Sequence, residues 1–393
     1  MLKGIPIVEQ ARRMPPPIVE LEPVVYIRSW QLSFVQDCNM RCTYCISGYG
    51  RQGGQPGVMN RDAQQQLLDM AFKEEFHGRG VEFDFGNGET LFYFDEFMQF
   101  LERAEQAALR FGMDLSVHVA TNGILLDDDK MNILADHQIA LTFSIDGPAH
   151  IHDRYRLDSN GNPTHERAMR NWRRYHEITA ARPEKIGCSV TSVLGDGTSL
   201  LDVNDFWLSQ GLETYECSIT EPSDFLGEYD YLAWQARRTK YLEDLEFLAM
   251  EQARKLNVPG FLSDFAGPVV IKSAWINLLA GRNAGACGVG KSLVGVDMYG
   301  NIYPCDSFSG NAEWAIGRLD VGFYRPTLAQ FRGRVAQLRT TCNSCEAEQL
   351  CDGGCVATRV GNALKLNKQG GCTFNKEVAD ISQRSFQVML ENS

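Results

Sequence analysis

Cys38, Cys42 and Cys45 place three thiols within eight residues, and a glycine-rich run, GYGRQGGQPGVM, follows the last of them. Seven more cysteines gather in the tail, at Cys287, Cys305, Cys342, Cys345, Cys351, Cys355 and Cys372. Thiolates are soft ligands, and in clusters they select zinc or iron–sulfur chemistry. Structural sites close with four ligands, whereas a three-ligand site leaves a coordination position for something other than protein. The first group therefore has two readings. One is a four-iron cluster with an open iron, and the other is a zinc knuckle completed by an unrelated fourth ligand.

Composition narrows the setting. The chain has 393 residues, with 38 basic and 50 acidic side chains and a formal charge of -12. That balance argues against a nucleic-acid partner, since no basic stripe exists to neutralise phosphates. The local run Arg167, Arg170, Arg173 and Arg174 lies in a helical pattern and reads as a solvated face. No apolar run approaches a membrane span, and MLKGIPIVEQARRMPPP has no signal-peptide core. Twelve cysteines without a secretion signal point to metal or redox chemistry, in a cytoplasmic protein with reduced thiols.

Positioning these thiols requires a scaffold, and the chain's periodicity supplies one. Tyr26 to Val35 reads as a strand ending just before the first cysteines. Asn60 suits the N-cap of a helix through DAQQQLLDMAFKEEF. Further strands are expected at VEFDF from Val81, LSVHVAT, LTFSI from Leu141, KIGCSVTSV from Lys185 and TYECSI up to Ile219. Helices are expected at Phe94 to Phe111, from about Asp127, at His165 to Ile178 and at Leu201 to Ser209. Six strand-then-helix units in about two hundred residues imply parallel βα pairing, too few for an eight-stranded barrel.

The expected fold class is therefore α/β: a partial (β/α)6 barrel followed by a small irregular domain. The division reads as a lead over 1–25, the barrel over 26–227, a helical bridge over 228–286 and a cysteine-rich domain over 287–393. Chemistry in such a barrel belongs at the C-terminal strand ends, where Cys38, Glu89, Asn122 and Asp146 fall.

The spacing CxxxCxxC, with Tyr44 before the last cysteine, resembles the signature of radical S-adenosylmethionine enzymes. The resemblance implies a [4Fe-4S] cluster on Cys38, Cys42 and Cys45. Its open iron would chelate S-adenosylmethionine, and electron transfer would release a 5′-deoxyadenosyl radical. GNGET, at Gly86 to Thr90, is similar to the family's GGEP motif, with Gly88 and Glu89 kept and Asn87 and Thr90 departing from it. That motif contacts the cofactor's amino group, for which a carboxylate is suited. TNG at Thr121, SIDGP at Ser144 and Arg156 follow in the family's order. By the same resemblance Tyr44, Gly88, Glu89, Asn122, Ser144 and Arg156 bind the cofactor, with Ser144 and Arg156 holding its ribose and carboxylate.

The tail is similar to the SPASM domain, which carries two auxiliary [4Fe-4S] clusters; two zinc sites are the minor reading. The likeness assigns Cys342, Cys345, Cys351 and Cys372 to one cluster, and Cys287, Cys305 and Cys355 to the other. No cysteine between Cys217 and Cys287 supplies the extra ligand found in relatives. A noncysteine ligand or an iron open to substrate takes that place. Asp306 follows Cys305 in YPCDSF, where anaerobic sulfatase-maturating enzymes have a base, although an aspartate opening a turn with Ser307 is an equal alternative. Cys188 and Cys217 read as small buried hydrophobes in strands.

The resemblance extends to maturases of ribosomally made peptides. It implies hydrogen abstraction from a precursor peptide and an oxidative carbon–carbon, carbon–oxygen or thioether crosslink. An auxiliary cluster would take the remaining electron and Asp306 a proton. The nearest rival is formylglycine formation by a sulfatase maturase. Another is a peptide epimerase, with Cys188 or Cys217 donating a hydrogen atom, and a small-molecule dehydrogenase ranks below both. A noncatalytic iron–sulfur electron carrier would have no use for Glu89, Ser144 and Arg156. Implied partners are the peptide, an external donor such as flavodoxin or ferredoxin, and a separate leader-binding protein, since the short lead cannot form a winged helix. Neither nucleic acid nor membrane is expected.

Overall fold

The structure is a computed structural model that describes residues 26–45, 47–51, 54–219, 231–281, 287–342, 344–351, 353–357, 359 and 370–393. The expected lead over 1–25 and the first residues of the bridge, 228–230, lie outside the described residues.

Six parallel strands pair in chain order: β1 (Ser29–Leu32), β2 (Gly80–Phe85), β3 (Asp114–Thr121), β4 (Ala140–Ser144), β5 (Cys188–Leu194) and β6 (Thr214–Ile219). Each alternates between a helix-facing and a lumen-facing side chain, as the two-residue period of a strand demands. In β2, Val81, Phe83 and Phe85 are buried under the helices, and Glu82 and Asp84 face the other way. A short β7 (Gly267–Pro268) continues parallel to β6. The first strand is shorter than its sequence suggests, because Val35 leaves the sheet and bridges to Val58.

The covering helices fall where the apolar spacing places them. Asn60 caps Arg61–Ala71 by accepting from Ala63 N at 2.9 Å. Phe94–Phe111 buries Phe97, Phe100, Leu101, Ala104 and Ala108, and ends at Gly112 with φ 59°. Phe85 packs edge-to-face against Phe34, Phe97 and Phe100. Each such aromatic burial contributes about 2–3 kcal/mol and fixes the strand ends on which the site stands.

The tail is more regular than expected. β8 (Leu293–Val296) joins β1 in parallel, and β9 (Asn301–Tyr303), β10 (Gly317–Arg318) and β11 (Gly322–Phe323) add antiparallel neighbours. Strands of two to four residues are too short for alternation to be read from sequence. Helix Arg325–Arg339 buries only Leu328, Phe331 and Val335 and contains Gly333, so its periodic signal is weak.

Helix Tyr231–Lys255 packs along the terminal helix Gly370–Glu391, joined by the ion pairs Arg238–Glu377 and Arg384–Glu246. Trp275, on helix Val269–Leu279, is fully buried and donates from Nε1 to Ser382 O and Ser385 Oγ, each at 3.2 Å. Among the described residues no helix is long and apolar enough to cross a membrane.

Candidate active site

A cavity of about 630 Å³ opens over the C-terminal ends of the barrel strands. Ten residues singled out from the sequence line it together: Cys38, Cys42, Tyr44, Cys45, Gly88, Glu89, Asn122, Ser144, Arg156 and Asp306.

The cysteine loop is shaped by hydrogen bonds to its sulfurs. Met40 N lies 3.4 Å from Cys38 Sγ, and Tyr49 N lies 3.1 Å from Cys45 Sγ, with Ser47 Oγ at 3.3 Å. Tyr49 holds φ 65°, a left-handed conformation uncommon for a bulky residue. Burial, with Glu89 adding to it, pushes the Cys38 thiol up to about 12, and burial also raises Cys42. Thiols in such a place ionise when a cationic centre compensates their charge. Among the described residues, no three Cys, His, Asp or Glu side chains close on one point as ligands of a single metal ion would. The three thiols line one cavity, where soft thiolate ligands suit an iron–sulfur or zinc centre.

Backbone pairing laces this loop to the segment that carries Arg156. Arg41 N donates to Leu157 O at 2.8 Å, Thr43 N to Tyr155 O at 3.0 Å and Ser159 N to Asn39 O at 3.0 Å. On the other side the loop meets the GNGET turn. Gly88 has φ 73°, and a Cβ there would collide with Val35 O and Asp37 O, while one on Gly50 would strike Gly88 Cα. Glycine is required where backbones approach this closely. Asn87, a departure from the GGEP pattern, donates to Ser33 Oγ at 3.1 Å and ties the turn back to the end of β1.

Glu89 is buried, and its carboxylate accepts from Thr121 Oγ1 at 2.8 Å, Asn122 N at 2.7 Å and Leu91 N at 3.3 Å. Burial outweighs these donors and raises its carboxyl to about 7. Asn122 in turn donates to Asn39 Oδ1 at 2.8 Å, so the TNG turn braces the cysteine loop.

One residue not singled out as a contact organises the far wall. Asp146 is fully buried, and its Oδ2 accepts from Arg156 Nε at 3.0 Å and from the Tyr44 hydroxyl. Its Oδ1 accepts from Val193 N at 2.9 Å. Burial disfavours the Arg156 charge, but Asp146 and Tyr44 outweigh it and hold the guanidinium firmly protonated. Behind them, His152 Nδ1 accepts from Asp146 N at 3.2 Å, which places the ring proton on Nε2, against Thr164 Oγ1 at 3.0 Å. Thr164 donates onward to Arg156 O at 2.7 Å. Burial and the Arg156 charge lower His152 to about 2, so it is neutral. The sequence clue was the Asp within SIDGP; its partners lie 10 and 102 residues away.

Asp306 enters from the tail. Its N–H donates to Gln31 Oε1 at 3.1 Å, and a Cβ on Gly86 would lie 3.9 Å from its Oδ2. Burial, then the nearby Asp84 carboxylate, raises its carboxyl. The two strand cysteines part company: Cys217 lines the cavity, whereas Cys188 borders a separate cleft with His176 and Thr179.

The cysteines of the tail do not line the cavity, and two local proximities are seen among them, Cys351 with Cys342 and Cys372, and Cys305 with Cys355. Burial raises Cys351, with Cys342 and Cys372 adding to it, and Gly353 and Gly354 N–H groups opposing. Arg359 Nη1 lies 3.6 Å from Cys342 Sγ and donates to Gly353 O at 2.7 Å. Burial takes Cys305 up to about 12, with Asp306 and Cys355 contributing. Cys287 and Cys355 are exposed, and Cys345 turns back on Cys342 through Cys345 N to Cys342 O at 2.9 Å.

Comparison with known proteins follows the same lines. Residues 32–206 match the Radical SAM superfamily model. The chain is 23% identical over 349 residues to a cysteine-type anaerobic sulfatase-maturating enzyme of Clostridium novyi (strain NT), covering 83% of this chain and 87% of that protein. It is 24% identical over 353 residues to a serine-type anaerobic sulfatase-maturating enzyme of Klebsiella aerogenes, covering 81% and 77%. In fold it is similar to native anSMEcpe with bound AdoMet and Cp18Cys peptide, with TM-score 0.71, 18% identity and coverage of 94% and 100%. Streptococcus suis SuiB bound to precursor peptide SuiA gives TM-score 0.54 at 16% identity, covering 86% and 73%. Residues 32–206 thus match a radical SAM domain, and the protein is an enzyme related to the anaerobic sulfatase-maturating enzymes.

Proposed function

We propose that the protein is a peptide maturase that oxidises a side chain of a peptide or protein substrate by two electrons. The observation that carries this is the position of Asp306. It reaches the cavity that holds the cysteine loop, one residue beyond a cysteine of the tail. Cys38, Cys42 and Cys45 would hold a [4Fe-4S] cluster, with Glu89, Asn122, Ser144 and Arg156 around S-adenosylmethionine. When bound, that pair supplies a carbon radical able to abstract hydrogen from substrate.

The chain's own groups do the rest. Arg156, kept charged by Asp146, presents paired donors to a carboxylate. Gly88 lets backbone approach a ligand, and Tyr44 fixes the far wall. Asp306 is placed to accept the proton released as the substrate is oxidised. Electrons would leave through the tail cysteines, Cys342, Cys345, Cys351 and Cys372 as one set and Cys287, Cys305 and Cys355 as the other, to an external carrier such as flavodoxin or ferredoxin. The domain division at 227 and 287 belongs to this reading. The peptide class is supported by the similarity to a sulfatase-maturating enzyme and to SuiB bound to its precursor peptide.

An oxidative crosslink is the first form of this reaction. Formylglycine formation is the second, favoured by the cysteine-type and serine-type maturases among the relatives. Mass spectrometry separates them. The reconstituted chain is incubated anaerobically with S-adenosylmethionine, reductant, and either the peptide encoded beside its gene or a sulfatase-type peptide with a single cysteine. Loss of one H2 with a new inter-residue bond identifies a crosslink, and replacement of cysteine sulfur by an aldehyde oxygen identifies formylglycine. Cleavage of S-adenosylmethionine with both peptides untouched would remove the peptide assignment.

A further inference from the structure

Below the cavity floor, a line of polar side chains crosses the barrel lumen and meets the site described above only through Asp84. His118, on β3, sets Nδ1 2.7 Å from Asp84 Oδ1 on β2, and its Nε2 lies 2.7 Å from Thr142 Oγ1 on β4. Thr142 Oγ1 lies 2.6 Å from Ser189 Oγ on β5. Four residues on four successive strands thus form one continuous hydrogen-bonded line, and its last member is exposed to solvent.

The upper end of this line lies under Asp306. Gln31 pairs in register with Asp84, and Gln31 Oε1 accepts from Asp306 N. The Asp306 carboxylate lies near Gly86, just past the end of β2 and two residues beyond Asp84. Two strand residues span about 6.6 Å, a gap that one water or a small carboxylate movement bridges. Asp84 and His118 are each about a third exposed, so water reaches the line. Asp84 is the charged group in contact with His118; Glu82 lies on the same face of β2 one pleat below, and Asp306 acts on Asp84 from the tail.

We propose that Asp84, His118, Thr142 and Ser189 form a proton-conducting chain through the barrel lumen, connecting the cavity floor beneath Asp306 with solvent. This role rests on the oxidase reading above, because it needs a substrate that releases a proton. Imidazole and hydroxyls can each donate or accept, so the line can be polarised in either direction. A proton arriving on Asp84 passes to His118 Nδ1, Nε2 gives its own to Thr142, and Thr142 and Ser189 pass theirs to water. One proton enters, one leaves, and no electron moves.

The test uses the reconstituted full chain and whichever of the two peptides above is modified. His118→Gln keeps hydrogen-bonding capacity without a titrating ring, and Thr142→Val keeps volume without the hydroxyl. Both should leave the first-turnover burst of 5′-deoxyadenosine intact and lower the steady-state rate about tenfold, the low end of acid–base effects. The loss should deepen at low pH, and added imidazole should restore His118→Ala.

Wild-type steady-state rates and pH profiles in both variants would overturn the chain while leaving the oxidase reading in place. Loss of the burst without imidazole rescue would mark a merely structural role and overturn it too. If the wild-type chain modifies neither peptide, the oxidase reading fails and this role falls with it. Nitrogen-15 NMR of His118 reads the dyad without turnover: Asp84→Asn should change the Nδ1 signal, and unmoved ring nitrogens would overturn the coupling.

Discussion

Arg156 Nε donates to Asp146 Oδ2 at 3.0 Å, with both side chains withdrawn from solvent. The pair joins the end of β4 to the segment laced onto the cysteine loop, so one carboxylate sets the orientation of the cation and, through Tyr44, of the loop. Asp146→Asn leaves that cation without its counter-charge. The expected cost is about 3–5 kcal/mol of stability, read from denaturant unfolding. S-adenosylmethionine affinity should fall by calorimetry, because Arg156 is no longer held in place.

Gly88→Ala tests the close approach of two backbones. A Cβ at φ 73° meets carbonyl oxygens of Val35 and Asp37, neither of which can yield as a flexible side chain would. The expected loss is about 2 kcal/mol or more, read from thermal or denaturant midpoints. Gly48→Ala makes a matched comparison: it has positive φ with nothing near its Cβ, so it should cost clearly less.

The cysteine groups predict iron content. Replacing Cys38, Cys42 and Cys45 together should remove about a third of the iron per chain, as should replacing Cys342, Cys351 and Cys372 together. Iron analysis and Mössbauer spectra of the two variants and their combination check this. Equal iron in all of them would sink the assignment of separate clusters.

His152 predicts the acid limb of the stability curve. Its folded value near 2 lies below its unfolded value of 6.5, so the unfolded chain binds the extra proton. Stability from this group is complete above about 6.5 and falls by roughly 1.4 kcal/mol per pH unit below that. His152→Gln should flatten that slope in denaturant titrations between pH 6 and about 4.

Cys217 and Cys188 should differ in access. Cys217 lines the cavity and Cys188 does not, so Cys217→Ala is the variant expected to alter product distribution or deuterium uptake from heavy water. Cys188→Ala should behave as wild type in the same mass-spectrometric assay. A change in Cys188→Ala alone would reverse the reading.

Much of this was legible because its signals are local. The βα alternation, the cap at Asn60 and the helix Phe94–Phe111 follow from periodic runs, and the cavity residues other than Asp306 from short motifs that resemble those of a known family. What was not legible depends on distant pairing. Asp146 acquires its importance from Tyr44, 102 residues earlier, and Asp306 from Gln31, 275 residues earlier. His118 reads as one polar residue in an alternating strand until the register with Asp84 is known. The short tail strands and the weakly amphipathic helix Arg325–Arg339 lack the length or contrast that a period needs.

The pairing of β8 with β1 also fixes an order of assembly during synthesis. β1 gains one neighbour from β2 early, but its other edge waits for Leu293 to Val296 to emerge from the ribosome. Until then a central strand, which leads directly into the cysteine loop, is an open edge able to pair with other chains. A chain interrupted before Leu293 would keep every barrel motif and still be prone to aggregate. Shielding of that edge, by a chaperone or by rapid completion of the tail, becomes part of how the cysteine loop reaches its folded form.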